Sequence, residues 1–239
     1  MSIESAEMTK HALNAFLATS ITFINEIATL CEQVGADATQ VERGLKSERR
    51  VGPRAYLTPG GAFAGGTLAR DVMFLSQLGE THGVPTHLLS SVKSSNDAHR
   101  EWVKRRLLER LGSIDGKTIG VWGLTYKPGT DTLRRSGSVE LCRWLHAQGA
   151  TVRAHDPAVT QLPADLAESI HAVATALGAA ERASALVVAT PWPDYRGVAP
   201  DDVAARMTRG LVLDVNRFLG DTFGTHPGIE YVSVGKAHP

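Results

Sequence analysis

Two cations, Lys127 and Arg134, flank the polar, glycine-containing run Gly123-Leu-Thr-Tyr-Lys-Pro-Gly-Thr-Asp-Thr-Leu-Arg134. A short apolar stretch precedes it. Lysine as a point charge and arginine as a planar fork suit a diphosphate or another anion. The same two residues can equally be solvated surface charges. The run is neither a G-x-G-x-x-G turn nor a P-loop. Upstream, Lys10 and Asn14 stand at i,i+4 near a helix start, where pattern alone reads as an exposed polar face. Asp71, placed in a first helical turn, suits the helix dipole, and Thr67, just before a helical run, suits an N-cap. Gly60-Gly61 and Gly65-Gly66 suit tight turns, and the Trp192-Pro-Asp-Tyr195 cluster suits packing. The 9 histidines show no H-x-x-x-H or H-E-x-x-H spacing, so no metal site is expected.

The elements that must position these residues change character midway. Apolar residues recur with helical period over residues 7–34, ending at Gly35. A shorter helix is predicted over 37–46 with Asp37 as its cap. Residues 51–66, rich in glycine and proline, read as a loop. Helices follow over 68–82 and 85–111. From Lys117 onward short apolar strands alternate with helices. Strands are predicted at 118–122, 151–155, 170–173, 185–189, 211–215 and 231–234, and helices at 138–148, 175–182 and 201–207. That alternation predicts a parallel sheet covered on both faces. The expected fold class is therefore α/β, with an all-helical domain over 1–113 and a doubly wound, Rossmann-like domain over 114–239. In such sheets ligands bind beyond the carboxyl ends of the strands, so the loop after the first strand is the place to look.

Composition adds boundaries. The chain has 239 residues, with 25 Lys+Arg balancing 25 Asp+Glu, so nucleic acid and anionic membranes are not expected partners. Hydrophobic content of 43% is ample for a core. Two cysteines, Cys31 and Cys142, sit in apolar-patterned segments and read as reduced core residues. No apolar run is read as a membrane span and no basic-then-apolar leader is seen, so a cytoplasmic protein is expected.

Several ordered motifs together resemble the UDP-glucose/GDP-mannose (nucleotide-sugar) dehydrogenase family. The segment Gly116-Lys-Thr-Ile-Gly-Val-Trp-Gly-Leu-Thr-Tyr-Lys-Pro-Gly-Thr-Asp-Thr-Leu-Arg-Arg-Ser136 is similar to GKTI-x-V-x-GLAFKP-x-TDD-x-RES at the start of its UDP-binding domain. Gly149-Ala150, Ala154-His155-Asp156-Pro157 and Ala185-Leu-Val-Val-Ala-Thr-Pro-Trp192 match further on. Residues 6–19 and 22–26 resemble the long dimer helix of the central domain, while Arg50-Val-Gly-Pro53 and 63–71 resemble its active-site loops.

The resemblance implies a two-step oxidation of a sugar C6 alcohol to a carboxylate with two NAD⁺, through an intermediate held on a cysteine. Carried over by position, Lys10 matches a lysine that stabilises oxyanions or moves protons, and Asn14 its hydrogen-bonding partner. Asp71 matches an aspartate that assists water or proton handling. Arg50 matches an arginine that reaches the neighbouring subunit's substrate, and Lys127 and Arg134 match substrate-binding positions. The long helix implies a C2 homodimer.

The departures bear on activity. Where the family reads GFGGSCFPKD, this chain reads Ala62-Phe-Ala-Gly-Gly-Thr-Leu-Ala-Arg-Asp71, with Thr67 at the cysteine position and Leu68, Ala69 and Arg70 after it. A hydroxyl is far less acidic than a thiol, whose free pKa is about 8.5. No strand–G-x-G-x-x-G–helix unit occurs in the sequence. The expectation is a truncated, degenerate homologue that binds a UDP-hexose-type ligand. It has no cofactor of its own, and NAD enters only if a separate Rossmann domain is supplied. As a degenerate homologue it is expected to be a structural or regulatory partner of a full-length relative; the alternative is a subunit or fragment of a working dehydrogenase, completed by a separate NAD-binding chain.

Overall fold

Ser2 opens the first helix: its hydroxyl accepts the Ser5 N–H at 3.2 Å. Helix α1 therefore spans Ile3–Val34, starting earlier than its apolar period indicates. Gly35, at φ 76°, closes it in the left-handed conformation that glycine takes without a Cβ clash. Asp37 caps α2 (Ala38–Ser47) by accepting the Thr39 N–H at 2.8 Å. Helices α3 (Thr67–Thr81), α4 (His87–Arg100) and α5 (Trp102–Leu111) follow. The single helix expected over 85–111 is two, separated at Glu101, whose N–H turns back to Ala98 and His99 carbonyls. This computed structural model describes residues 1–237.

The chain divides into two compact units, Met1–Glu101 with the segment from Val234 onward, and Trp102–Ser233, so α5 goes with the second. In the first unit α1 packs against α3 and α4. Ala15, Ala18, Phe63, Val72, Leu75 and Val92 form the core between them. The glycine-rich stretch before α3 is pinned by buried amides. Asn25 accepts the Gly60 N–H at 3.0 Å, and Asn96 bonds both the N–H and the carbonyl of Phe63 at 2.9 and 3.0 Å. His99 Nε2 lies 2.8 Å from the Gly60 carbonyl. Buried backbone groups without ladder partners need such side chains. Near the C-terminus, the Gly235 carbonyl accepts the Ala38 N–H at 2.8 Å, and its N–H donates to Glu32 at 2.7 Å.

By length and composition alone α1 would pass for a membrane span, contrary to the expectation from sequence. Core helices meet the same criterion, and 33% of that window is buried.

In the second unit, β1 (Thr118–Trp122), α6 (Gly137–Ala147), β2 (Thr151–His155), α7 (Ala164–Ala167), β3 (His171–Ala172) and α8 (Ala176–Ala180) come first. Then come β4 (Ala185–Val188), a 3₁₀ turn over Pro193–Gly197, α9 (Pro200–Ala204), β5 (Leu211–Asp214), a 3₁₀ turn over Phe223–Thr225, and β6 (Glu230–Ser233). The sheet has 6 strands in the order β3-β2-β1-β4-β5-β6, every pair parallel. The α/β expectation is met, and the order reverses between β1 and β4. Strands β1, β4 and β5 are buried almost throughout, which is why their sequences read as continuous apolar runs. Trp122 stacks on Tyr195 at 4.7 Å and meets Phe223 edge-on at 6.0 Å, pairs that add about 0.5–1.5 kcal/mol beyond their buried area.

Candidate functional site

In the first unit, α1 carries Lys10, His11 and Asn14 near its N-terminal end, and α3 carries Asp71. Asp71 is 1% exposed. Asn14 Nδ2 donates a hydrogen bond to Asp71 Oδ2. His11 Nδ1 lies 3.3 Å from Asp71 Oδ1, and Arg70 Nε 3.8 Å from the same oxygen. Burial alone would push the Asp71 carboxyl up. The hydrogen bond from Asn14, with His11 and Lys10 close by, outweighs it and holds the group below the usual carboxylate range. Lys10 itself is exposed.

Two positional readings are corrected. Asp71 is the fifth residue of α3, beyond the first turn, so the helix dipole does not explain it; its partners on α1 do. Thr67 is the first helical residue, and Gly66 takes the cap position without a side-chain bond. The Thr67 side chain belongs to an exposed residue at the head of α3. Arg50 is also exposed and pairs with Glu48 at 2.9 Å.

In the second unit, Lys127 and Arg134 are exposed on the loop between β1 and α6. Lys127 Nζ sits 5.4 Å from the Tyr126 ring centroid. The start of this loop is fixed by Asp156, just past β2. Its Oδ2 accepts the Leu124 N–H at 2.7 Å, the Thr125 N–H at 3.0 Å, the Thr125 hydroxyl at 3.1 Å and the Trp192 indole N–H at 3.1 Å. Its Oδ1 accepts the Ala158 N–H at 2.9 Å. Ser136 donates to the Leu124 carbonyl at 2.6 Å, and Thr190 to the Thr125 carbonyl at 2.6 Å. Gly123, at φ +90°, lets the chain leave β1 against Thr190, where a Cβ would stand 2.3 Å from the Thr190 Cβ. Arg135 is left-handed at φ 60°. The cations thus project from a loop with rigid ends at the sheet's switch point, where α/β folds bind ligands.

Each half also matches by sequence. Residues 4–98 match the UDP-glucose/GDP-mannose dehydrogenase family, central domain, and residues 120–221 match the UDP binding domain of the same family. The chain belongs to that family. UDP-glucose 6-dehydrogenase TuaD of Bacillus subtilis is 34% identical over 235 residues, which is 98% of this chain and 51% of TuaD. UDP-glucose 6-dehydrogenase of Rhizobium meliloti is 34% identical over 97% of this chain and 53% of its own length. Among solved structures, a UDP-glucose dehydrogenase from Pyrobaculum islandicum superposes with a TM-score of 0.84 at 28% identity, covering 100% of this chain and 52% of that one. An NDP-N-acetyl-D-galactosaminuronic acid dehydrogenase from Methanosarcina mazei gives 0.83 at 25% identity, covering 99% and 52%. The chain spans about half the length of these UDP-glucose/GDP-mannose dehydrogenase relatives.

Within this family member both thiols are free and buried. Cys31 is 5% exposed and Cys142 fully buried. Burial raises both thiol pKa values, that of Cys142 to about 12. Among the described residues no group of His, Cys, Asp and Glu is arranged to hold a metal.

Reading from sequence missed His11 and Asp156. His11 neighbours Lys10 and stands at i+3 from Asn14, so the helical period could have placed it on the same face. Asp156 falls where a strand of an alternating fold ends, which marks it as a loop-organising position.

Proposed function

We propose that this chain binds a nucleotide sugar of the UDP-hexose type and does not oxidise it on its own. The observation that carries the reading is the residue at the head of α3: a threonine stands where the resemblance implies the thiol, and both cysteines lie buried elsewhere. A hydroxyl there lacks the acidity to trap an aldehyde without a strong base beside it.

The relatives' dehydrogenase names, with the resemblance, imply NAD⁺ as electron acceptor. The residues of this chain do not suit that cofactor. Dinucleotide folds place the pyrophosphate on a tight glycine turn after the first strand and the ribose on an acidic residue after the second. Here the first connection is the long Gly123–Ser136 loop, without that turn, and the Asp156 carboxylate is spent on that loop and on Trp192. No oxidation step is assigned to the chain alone. NAD enters only through a separate Rossmann domain.

Lys127 and Arg134 are proposed to take the diphosphate, and Arg50 to reach substrate across a symmetric dimer. The dimer is supported by α1, where Phe16, Phe23 and Leu30 are exposed at heptad spacing beside its buried stripe. A cytoplasmic setting suits two reduced, buried cysteines. The second reading, a subunit completed by an NAD-binding partner, is favoured by the intact Asn14–Asp71 contact.

Isothermal titration with UDP and UDP-glucose tests the proposal. Binding of both is expected, weakened about tenfold or more in the K127A/R134A variant and by added salt. Absence of binding of either ligand removes it.

A further inference from the structure

Asp71 has two oxygens and two different neighbours on α1. Oδ2 takes the Asn14 amide N–H. Oδ1 faces His11, whose Nδ1 is 3.3 Å away. That nitrogen is buried and makes no hydrogen bond elsewhere, although 21% of the side chain remains exposed. The ring is held against Phe74, centroid to centroid 4.4 Å. A buried polar atom left without a partner is uncommon, and here an ionised acceptor stands within reach of a small ring rotation. In a neutral imidazole one nitrogen donates and the other accepts, and the bond made by one decides the role of the other.

We propose that His11 is the positioning partner of Asp71. The imidazole carries its proton on Nδ1 and directs it to Oδ1, while Asn14 holds Oδ2. The carboxylate is clamped at both oxygens, and His11 Nε2 keeps its lone pair. Such a carboxylate–imidazole pair selects one tautomer and steadies the imidazolium once Nε2 takes up a proton. The claim is independent of which ligand binds. Two other cations face the carboxylate. Lys10 acts on it through its charge. Arg70 approaches Oδ1, but its side chain is 64% exposed and its Nε stands at 3.8 Å, so solvent weakens its pull.

The test is nuclear magnetic resonance on the full chain. With ¹⁵N-histidine labelling, long-range proton–nitrogen correlations at neutral pH are expected to show His11 as the Nδ1–H tautomer. Asp71→Ala is expected to abolish that preference. With ¹³C-aspartate labelling, Asp71 is expected to stay ionised further into acid in the wild type than in His11→Phe, by about half a pH unit or more. His11→Phe keeps a ring against Phe74, so packing alone does not move the titration. His11→Asn, which restores a donor near the Nδ1 position, is expected to recover most of the difference. An Nε2–H tautomer unchanged by Asp71→Ala overturns the proposal. So does an Asp71 titration that His11→Phe leaves in place, and this second readout decides if Asp71→Ala does not fold.

Discussion

Replacing Asn14 with leucine removes a side-chain donor that hydrogen-bonds Asp71 Oδ2 while keeping nearly the same volume. A hydrogen bond to a charged group contributes about 1.5–3 kcal/mol, and a carboxylate left buried with a donor missing costs a comparable amount. His11 at 3.3 Å and Arg70 at 3.8 Å remain near the other oxygen and recover part of the loss. The expected destabilisation at neutral pH is therefore about 1–2 kcal/mol, at the low end of that range. Its pH dependence follows from the depressed Asp71 pKa. A depressed carboxyl contributes stability that is present above its unfolded value, here 3.8, and lost as pH falls through the folded value. Asn14→Leu reduces that depression, so the deficit is full near pH 7 and shrinks below about pH 4. Urea unfolding followed by far-ultraviolet circular dichroism, dominated by the helical unit, gives the difference at several pH values. A deficit under about 0.5 kcal/mol at neutral pH, or one that does not shrink in acid, refutes the reasoning.

Three further outcomes are expected. Thr67→Cys places a thiol at an exposed helix N-terminus, where the dipole favours thiolate, so it reacts with a disulfide reagent well before Cys31 or Cys142 in the native protein; indistinguishable rates for all three thiols would contradict the placement. Gly123→Ala forces a Cβ to within 2.3 Å of Thr190 at a φ of +90°, so a loss of about 2 kcal/mol or more is expected in unfolding followed by tryptophan fluorescence. Phe16→Glu with Phe23→Glu charges the heptad-spaced face of α1 and is expected to yield a monomer in size exclusion with light scattering at micromolar concentration, whereas an unchanged dimer points to another interface.

The architecture was legible in sequence because its signals are local. The helical period of α1, the Asp37 cap and the apolar runs of β1, β4 and β5 all follow from side-chain patterns within a few residues. The short β3, two residues long, was placed although its span was overdrawn, because exposed edge residues carry little apolar signal. At the site, Asn14 and Asp71 were named singly, but their contact joins residues 57 positions apart and no local pattern encodes it. His11 carries no sequence signal of its own, because only the buried Asp71 carboxylate opposite it distinguishes it from any histidine on a helix face. Asp156 stands in the Ala154–Pro157 motif, but its role is not legible there, since it satisfies backbone N–H groups of a loop more than thirty residues earlier. The breaks in pattern that bear on activity, Thr67 for a thiol and the long loop after β1, were fully visible in sequence because they are matters of residue identity.

We propose that this chain holds a nucleotide sugar without oxidising it. Incubating the purified chain with UDP-glucose and NAD⁺, and following NADH absorbance together with the nucleotide-sugar products by chromatography, tests it most directly. Unchanged UDP-glucose and no NADH are expected, with UDP-glucose still binding in a parallel titration. Formation of the uronate with two equivalents of NADH by this chain alone would contradict it.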